Sequence, residues 1–330
     1  MPAILSLSLI NGMPASLANW MAHLPPEMTD RPIHSLKIPG SHDSGATKSL
    51  SLKLPVANDE SAPIRQLGRA PCIRRGIKRW AVTQSYSVRQ QLDLGIRYFD
   101  LRVSYPPLKI RDSSTDFRLV HALYGPKLKD VFEQILDFLT VNTREIIVLD
   151  MNHLYDFDTQ AYNLLHDETI KSLGRSLFCP INPPSRISLD FMWRNGYRFI
   201  VFCCYTNESA LFWPSYLIPS PWPDTNKVDI LLRILESDLE IRCDDPDRQG
   251  FFVSQGVLTP KNYDVVSKWF SSLRSALSQR ATERVLQWLA DLDKTKREKV
   301  NVVILDFVDE ESSSYIISLN GIHLNSASSS

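Results

Sequence analysis

The run IPGSHDSGA, residues 38–46, sets a short apolar segment directly against a cluster of polar side chains. The candidate strand Ser35–Pro39 ends at Pro39–Gly40 and hands the chain to His42 and Asp43 at its C-terminal end. In a barrel of alternating strands and helices, that end carries the chemistry. A lone histidine is as a rule structural, but Gly40 and Gly45 suit a tight turn that exposes the Ser-His-Asp-Ser cluster instead of burying it.

Further candidate strands are Ile96–Val103, Arg118–Ala122, Glu145–Met151, Arg198–Cys204, Gly250–Ser254 and Asn301–Phe307. Between them, apolar residues at helical spacing predict helices near Lys127–Val141, Thr159–Leu173, Val228–Leu239, Tyr263–Leu277 and Thr282–Leu292. This alternation is that of βα units around a parallel sheet, with a strand count close to a closed barrel. The Pro/Trp-rich stretch Pro214 to Asp224 is expected as a loop over one barrel mouth, because its prolines fix φ and remove donors. Residues 1–16 are expected as an extension, 17–320 as a single barrel domain and 321–330 as a disordered Ser/Ala/Asn tail.

Other strand ends also carry polar groups. Asp100 and Arg102 sit two apart on a strand-like run and so share a face, either as a structural salt bridge or as a pair that binds something. His121 lies near the end of a short strand before a turn. REIIVLDMNH puts Asp150 and Asn152 on one face and Met151 and His153 on the other, and Asp306 ends the apolar run NVVIL. Together these residues predict a polar mouth on a hydrophobic barrel.

With 330 residues, 43% hydrophobic and 22% charged, the chain has ample apolar surface for a core. Lys+Arg and Asp+Glu both number 37, so no whole-molecule field steers it to nucleic acid, and any anion must be met locally. The five cysteines, Cys72, Cys179, Cys203, Cys204 and Cys243, form no C-x-x-C spacing, which favours a reducing compartment. The N-terminal apolar run lacks the basic residues of a secretory signal and is too short to span a bilayer. A soluble cytoplasmic protein that visits a membrane transiently is expected, with residues 1–12 dispensable.

The series IPGSHDSGA, GIRYFDLR, a His-containing turn and EIIVLDMNH resembles the X-domain of phosphatidylinositol-specific phospholipases C. LANWMAHLPPEM, FDLRVS, LDMNH, LFWPSYLIPSPWP and FFVSQGVLTPK are similar to the small intracellular PI-PLC X-domain-containing proteins, over roughly Leu17 to Leu319. The resemblance implies an irregular TIM-type (β/α) barrel of the PLC-like phosphodiesterase kind, hydrolysing an inositol phospholipid at a membrane surface. It implies that His42 is the general base acting on the inositol 2-hydroxyl and His121 the general acid for the departing diacylglycerol oxygen. Asp306 matches the carboxylate that orients the base, and Asp43 a partner on the acid side of the site.

Calcium-dependent members of that family place carboxylates where this chain has Arg102, whereas the metal-independent bacterial type has an arginine there. The resemblance therefore implies no cofactor and no metal, with Arg102 gripping the phosphate and Asp100 holding Arg102 or the leaving-group histidine. Asp150, Asn152 and Gln255 are the candidates for substrate contacts. The sequence departs from the bacterial pattern in RFIVFCCY, where Cys203 and Cys204 occupy the positions of a basic head-group ligand.

Arg65, Arg69, Arg74, Arg75, Lys78 and Arg79, followed by Trp80, read either as a patch for anionic membrane, at roughly 1 kcal/mol per side chain, or as a solvated insertion. Trp213 and Trp222 read either as a membrane-contacting rim or as a lid packed on itself. Three other functions compete: a lipid-binding or scaffolding barrel, a Ser-His-Asp hydrolase using Ser41 or Ser44, and a metal-dependent glycerophosphodiesterase. The second lacks a G-x-S-x-G elbow, and the third needs more clustered carboxylates.

Overall fold

The computed structural model of the chain describes residues 15–205, 210–244 and 250–322. Residues 1–14 of the expected extension and 323–330 of the expected tail lie outside the described residues. Strands β1 (Ile38–Ser41), β2 (Tyr98–Asp100), β6 (Ile147–Met151), β8 (Phe199–Cys203), β9 (Phe212–Pro214), β10 (Val253–Gln255) and β11 (Val302–Leu305) form one seven-stranded sheet, in the order β10-β11-β1-β2-β6-β8-β9. Every pairing in it is parallel. Strands β3 (Val103–Ser104), β4 (Arg118–His121), β5 (Leu123–Lys127) and β7 (Leu154–Tyr155) form a second sheet in the order β5-β4-β3-β7.

The strand alternation sorts the core into two layers. Tyr98, Val148, Ile200, Phe202, Val302 and Ile304 pack inside the curled sheet with Trp20, Trp213 and Phe251. Their neighbours Phe99, Leu149, Val201, Val303 and Leu305 pack outward against Val131, Ile135, Val285 and Leu289 of the surrounding helices. Among the described residues no ladder joins β9 to β10. Instead the Val253 N–H donates to the Pro219 carbonyl at 3.0 Å, so the Pro/Trp-rich stretch fills that seam. The result is an irregular TIM-type barrel.

Several expected elements shift, each for a physical reason. The first strand is Ile38–Ser41, not Ser35–Pro39, because the backbone of Leu36 and Lys37 bonds to side-chain amides of Asn301 and Asn320 instead of to neighbouring strands. Ile96–Val103 is two strands in two sheets. Gly250–Ser254 moves to Val253–Gln255. The expected helix Tyr263–Leu277 is broken: Asn262–Ser267 ends, and Ser271 and Ser272 hydrogen-bond Ser275 before the helix Gln279–Asp291 begins. The basic stretch folds as two short helices, Ala62–Leu67 and Pro71–Ala81, with Trp80 buried. Trp213 is fully buried in the barrel and so is no rim, whereas Trp222 is exposed and donates to Thr259 Oγ1 at 2.9 Å.

Gly40 and Gly45 do not serve the turn as expected, since neither has a positive φ. They serve close approach. A Cβ on Gly40 would lie 2.8 Å from Ile304 and Tyr98, and one on Gly45 would lie 2.1 Å from Leu119 Cδ1. Gly45→Ala therefore forces apart the loop after β1 and strand β4, and should lower stability by about 1–3 kcal/mol in a denaturant titration.

Candidate active site

The two sheets meet at the C-terminal mouth of the barrel. β2 ends at Asp100 and the chain resumes as β3 after Leu101 and Arg102, while β6 ends at Met151 and resumes as β7 after Asn152 and His153. β3 and β7 then pair with each other, Val103 opposite Leu154. β4 adds antiparallel to β3 and ends on His121. His121 thus reaches the site from a sheet rising over the mouth, not from a barrel stave, while His42 directly follows β1 and Asp306 directly follows β11.

The side chains converge. His42 Nδ1 lies 2.8 Å from Asp306 Oδ1, whose other oxygen accepts from Ser278 Oγ at 2.9 Å. His121 Nδ1 donates to the Ala81 carbonyl at 2.7 Å. With both Nδ1 atoms anchored from behind, both Nε2 atoms face Asp43, at 3.5 Å from His42 and 3.4 Å from His121. The ring centroids are 6.4 Å apart. Arg102 ion-pairs with Asp43 through Nε, sits 3.8 Å from Asp100 Oδ2, and approaches His42 Nε2 through Nη2 at 3.0 Å. Asp100 in turn accepts the Asp43 backbone N–H at 3.0 Å.

The residue after each of His42, His121 and Asp306 has a left-handed backbone: Asp43 at φ 41°, Ala122 at 56° and Phe307 at 51°. Such conformations strain an L-residue and persist only where the surroundings hold them. Gln84 supplies part of that hold, donating to the His42 and Leu305 carbonyls at 2.8 and 3.0 Å and accepting from the Val308 N–H. The Ala122 N–H donates to Asp59 Oδ2 at 2.7 Å.

Burial disfavours a charged His42, but Asp43 and then Asp306 outweigh it and lift the imidazole to about 9. The Arg102 contact works the other way, because a guanidinium N–H needs a lone pair on Nε2. Arg102 thus lowers the imidazole without cancelling the effect of the two carboxylates. Asp43 is opposed by burial as well, yet Arg102 and then the two imidazoles hold its carboxyl below the usual range.

Of the expected substrate contacts, Asp150 is buried, accepts from the Tyr98 hydroxyl and the Asn152 N–H, and is pushed up to about 7 by burial and then by Asp100. Asn152 keeps a buried Oδ1 without a hydrogen bond. Gln255 gives its amide to Ser220, at 2.9 and 3.0 Å. Ser41 and Ser44 are fully buried and hydrogen-bond each other at 2.7 Å, which removes both as nucleophiles. Gln84, Ser278 and Asp59 escaped the sequence reading because no spacing relates them to the motifs. His153 was assigned to the face away from Asp150, but β6 stops at Met151, so alternation no longer governs it. The charges it feels include those of Asp100, Arg102 and Asp43.

One ligand atom each of His42, Asp43 and Asp100 lies within 4.8 Å of the others, a spacing that would admit a cation. The Arg102 guanidinium lies against the same two carboxylates and already brings a fixed positive charge there.

No family model matches the sequence. Individual relatives do. The chain is 35% identical over 294 residues to PI-PLC X domain-containing protein 2 of Mus musculus, covering 88% of this chain and 84% of that protein. It is 33% identical to PI-PLC X domain-containing protein 3 of Danio rerio, covering 92% and 93%. The chain belongs to the family of PI-PLC X domain-containing proteins. Protein 1 of that family from Homo sapiens is 30% identical over 92% of each chain. In structure, this family member resembles the phosphatidylinositol-specific phospholipase C of Listeria monocytogenes, with a TM-score of 0.61 at 17% identity over 92% of this chain and 99% of that one. The Staphylococcus aureus phosphatidylinositol-specific phospholipase C gives the same score at 16% identity over 93% and 98%. These likenesses establish a phospholipase C-like barrel.

A raised His42 pKa adds stability that is fully present below the unfolded value of 6.5 and is lost as pH rises through about 9. Asp306→Asn removes one of the charges responsible. Imidazole titration by NMR should find the His42 pKa lower in that variant, and denaturant titrations should find the loss of stability above pH 6.5 smaller and complete at lower pH. An unchanged His42 pKa would detach Asp306 from the imidazole.

Proposed function

We propose that residues 17–320 form one catalytic unit, a phosphoric diester hydrolase that cleaves phosphatidylinositol-type lipids with His42 as general base and His121 as general acid. The observation that carries this reading is the pair of Nε2 atoms facing one small space, each with its Nδ1 anchored from behind. Imidazole suits either role, because it titrates near neutral pH. His42 Nε2 takes the proton of the inositol 2-hydroxyl, whose oxygen bonds to phosphorus. The bond from phosphorus to the diacylglycerol oxygen breaks, and His121 Nε2 supplies the proton that this oxygen needs. The inositol retains a cyclic phosphate.

Arg102 has two tasks in sequence. Whenever His42 is unprotonated in the free site, Arg102 Nη2 occupies the lone pair that the base needs; an arriving phosphate offers the guanidinium two oxygens, drawing it off His42 while Asp43 anchors its Nε. Substrate binding thereby frees the base. The guanidinium supplies the fixed charge that a calcium ion would otherwise bring, which supports metal-independent cleavage. Asp43, held ionised between both imidazoles, lies 3.4 Å from His121 Nε2 and so faces the atom that makes the donation.

A lipid-binding barrel without turnover is the second reading, favoured by Gln255 being tied to Ser220 and Cys203 being buried, so that neither is free to grip a head group. All five cysteines are free thiols, which supports a protein of the reducing cytoplasm that meets its lipid at a membrane surface. No described helix is long and apolar enough to cross a membrane.

The test is release of water-soluble inositol phosphates from vesicles containing labelled phosphatidylinositol. His42→Ala and His121→Ala should each lower the rate by about 10² to 10⁴-fold. Arg102→Lys should be substantially impaired, because a point charge cannot hold two oxygens or reach His42 in the same way. A chelator should leave the wild-type rate unchanged; loss of activity in chelator with recovery on adding calcium would refute the metal-free mechanism, and no turnover at all would favour the binding barrel.

A further inference from the structure

Beside the catalytic mouth, and separated from it by Phe307, lies a surface cavity of about 340 Å³ whose charged lining is entirely basic: Lys48, Arg75, Lys78, Arg79 and Arg274. These cations come from three parts of the chain, the loop after β1, the helix Pro71–Ala81 and the π-helical segment Arg274–Ser278 that leads directly into the helix Gln279–Asp291. Among the described residues, none of the five forms an ion pair with a carboxylate, in a chain whose total charge is zero. Concentrating like charges in one hollow costs free energy unless an anion sits among them.

The cations are also held in place. Lys78 Nζ donates to the Lys48 and Leu50 carbonyls, each at 2.6 Å, which fixes the ammonium and leaves its third N–H over. Arg79 Nη2 donates to the Trp269 carbonyl at 2.9 Å, while its buried Nε has no hydrogen-bond partner. Arg274 lies over the Phe307 ring at 5.4 Å and donates to Ser85 Oγ at 3.3 Å. Arg75 and Lys48 stand exposed at the rim. Fixed donors around a hollow describe a receptor, in contrast to Arg65 and Arg69, which are exposed on the neighbouring short helix and its flank and line no part of the cavity.

We propose that this cavity is a second anion site that binds a phosphate monoester, separate from the centre where the diester is cleaved. A monoester carries nearly two charges and three acceptor oxygens near neutral pH, which suits several converging cations better than the single charge of a diester. The same group occurs on an anionic lipid such as phosphatidic acid and on a soluble molecule such as glycerol 3-phosphate. The cavity also touches catalysis, because Phe307 follows Asp306 and its N–H donates to the Thr83 carbonyl at 2.6 Å. The site does not depend on turnover, so its failure and that of the proposed catalysis are separable.

The test uses the full chain with two probes, phosphatidylcholine vesicles with and without phosphatidic acid, followed by co-sedimentation, and glycerol 3-phosphate, followed by calorimetry. Lys48→Gln, Arg75→Gln and Arg75→Glu, all changes at exposed positions, should each weaken binding of at least one probe by about tenfold or more, as expected for loss of a charge-assisted contact. Arg65→Glu and Arg69→Glu should change it less than twofold, and His42→Ala should retain it. Binding to phosphatidic acid vesicles alone would identify a lipid as the source, and binding of both probes a free phosphate as well. The proposal is overturned if wild-type protein binds neither probe, if Arg65→Glu weakens binding as much as Arg75→Glu, or if His42→Ala abolishes it.

Discussion

The carboxylate of Asp43 is the charge on which the mouth of this barrel depends. It is almost wholly buried, ion-pairs with Arg102, and lies within 3.5 Å of the imidazoles of His42 and His121, yet neither oxygen has a conventional hydrogen-bond partner. Such a carboxylate is stable only because three positive or protonatable groups surround it. The dependence is mutual: it raises His42, sets the position of Arg102 and faces His121 Nε2.

The opposite end of the barrel shows the contrast. Arg97 and Glu145 form a fully buried ion pair at 2.8 Å, just ahead of β2 and β6. There the guanidinium also donates to carbonyls of Leu92, Ile96 and Ala18, and the carboxylate accepts the N–H groups of Met21 and Ala22. Every donor has a target, and the N-terminal segment is fastened to the barrel in the process. A saturated network of that kind contributes rigidity and offers nothing to a ligand, whereas the unsaturated one around Asp43 can be rearranged. The base of the fold holds its shape and the mouth remains chemically available.

Access to that mouth is built by interrupting strands. β2 and β6 stop at the barrel rim and resume in a second sheet, so the breaks place Arg102 and Asn152 between two ladders and carry β4, with His121, over the opening. The left-handed backbone after His42, His121 and Asp306 turns the chain away as soon as each side chain has been delivered. Close packing at Gly40 and Gly45 and the bonds from Gln84 are what hold those turns.

Much of this was legible in the sequence, because local rules govern it. Apolar strand runs ending in polar residues located His42, Asp100 and Asp306, helical periodicity located Leu128–Val141 and Thr159–Leu173 almost to the residue, and the motif series identified the family. Local rules failed where a partner distant in sequence decides. Asn301 and Asn320 move the start of β1, Leu119 sets the need for glycine at position 45, and His153 turns to the site only because β6 ends before it. Asp59, Gln84 and Ser278 have no motif, since their roles come from meeting backbone or side chains tens to hundreds of residues away. The sequence by itself determined the alternation of strands and helices and the chemical types gathered at the strand ends. Only the tertiary structure decided which of them meet, because burial, close approach and the direction of a side chain past a strand end depend on contacts that no local pattern encodes.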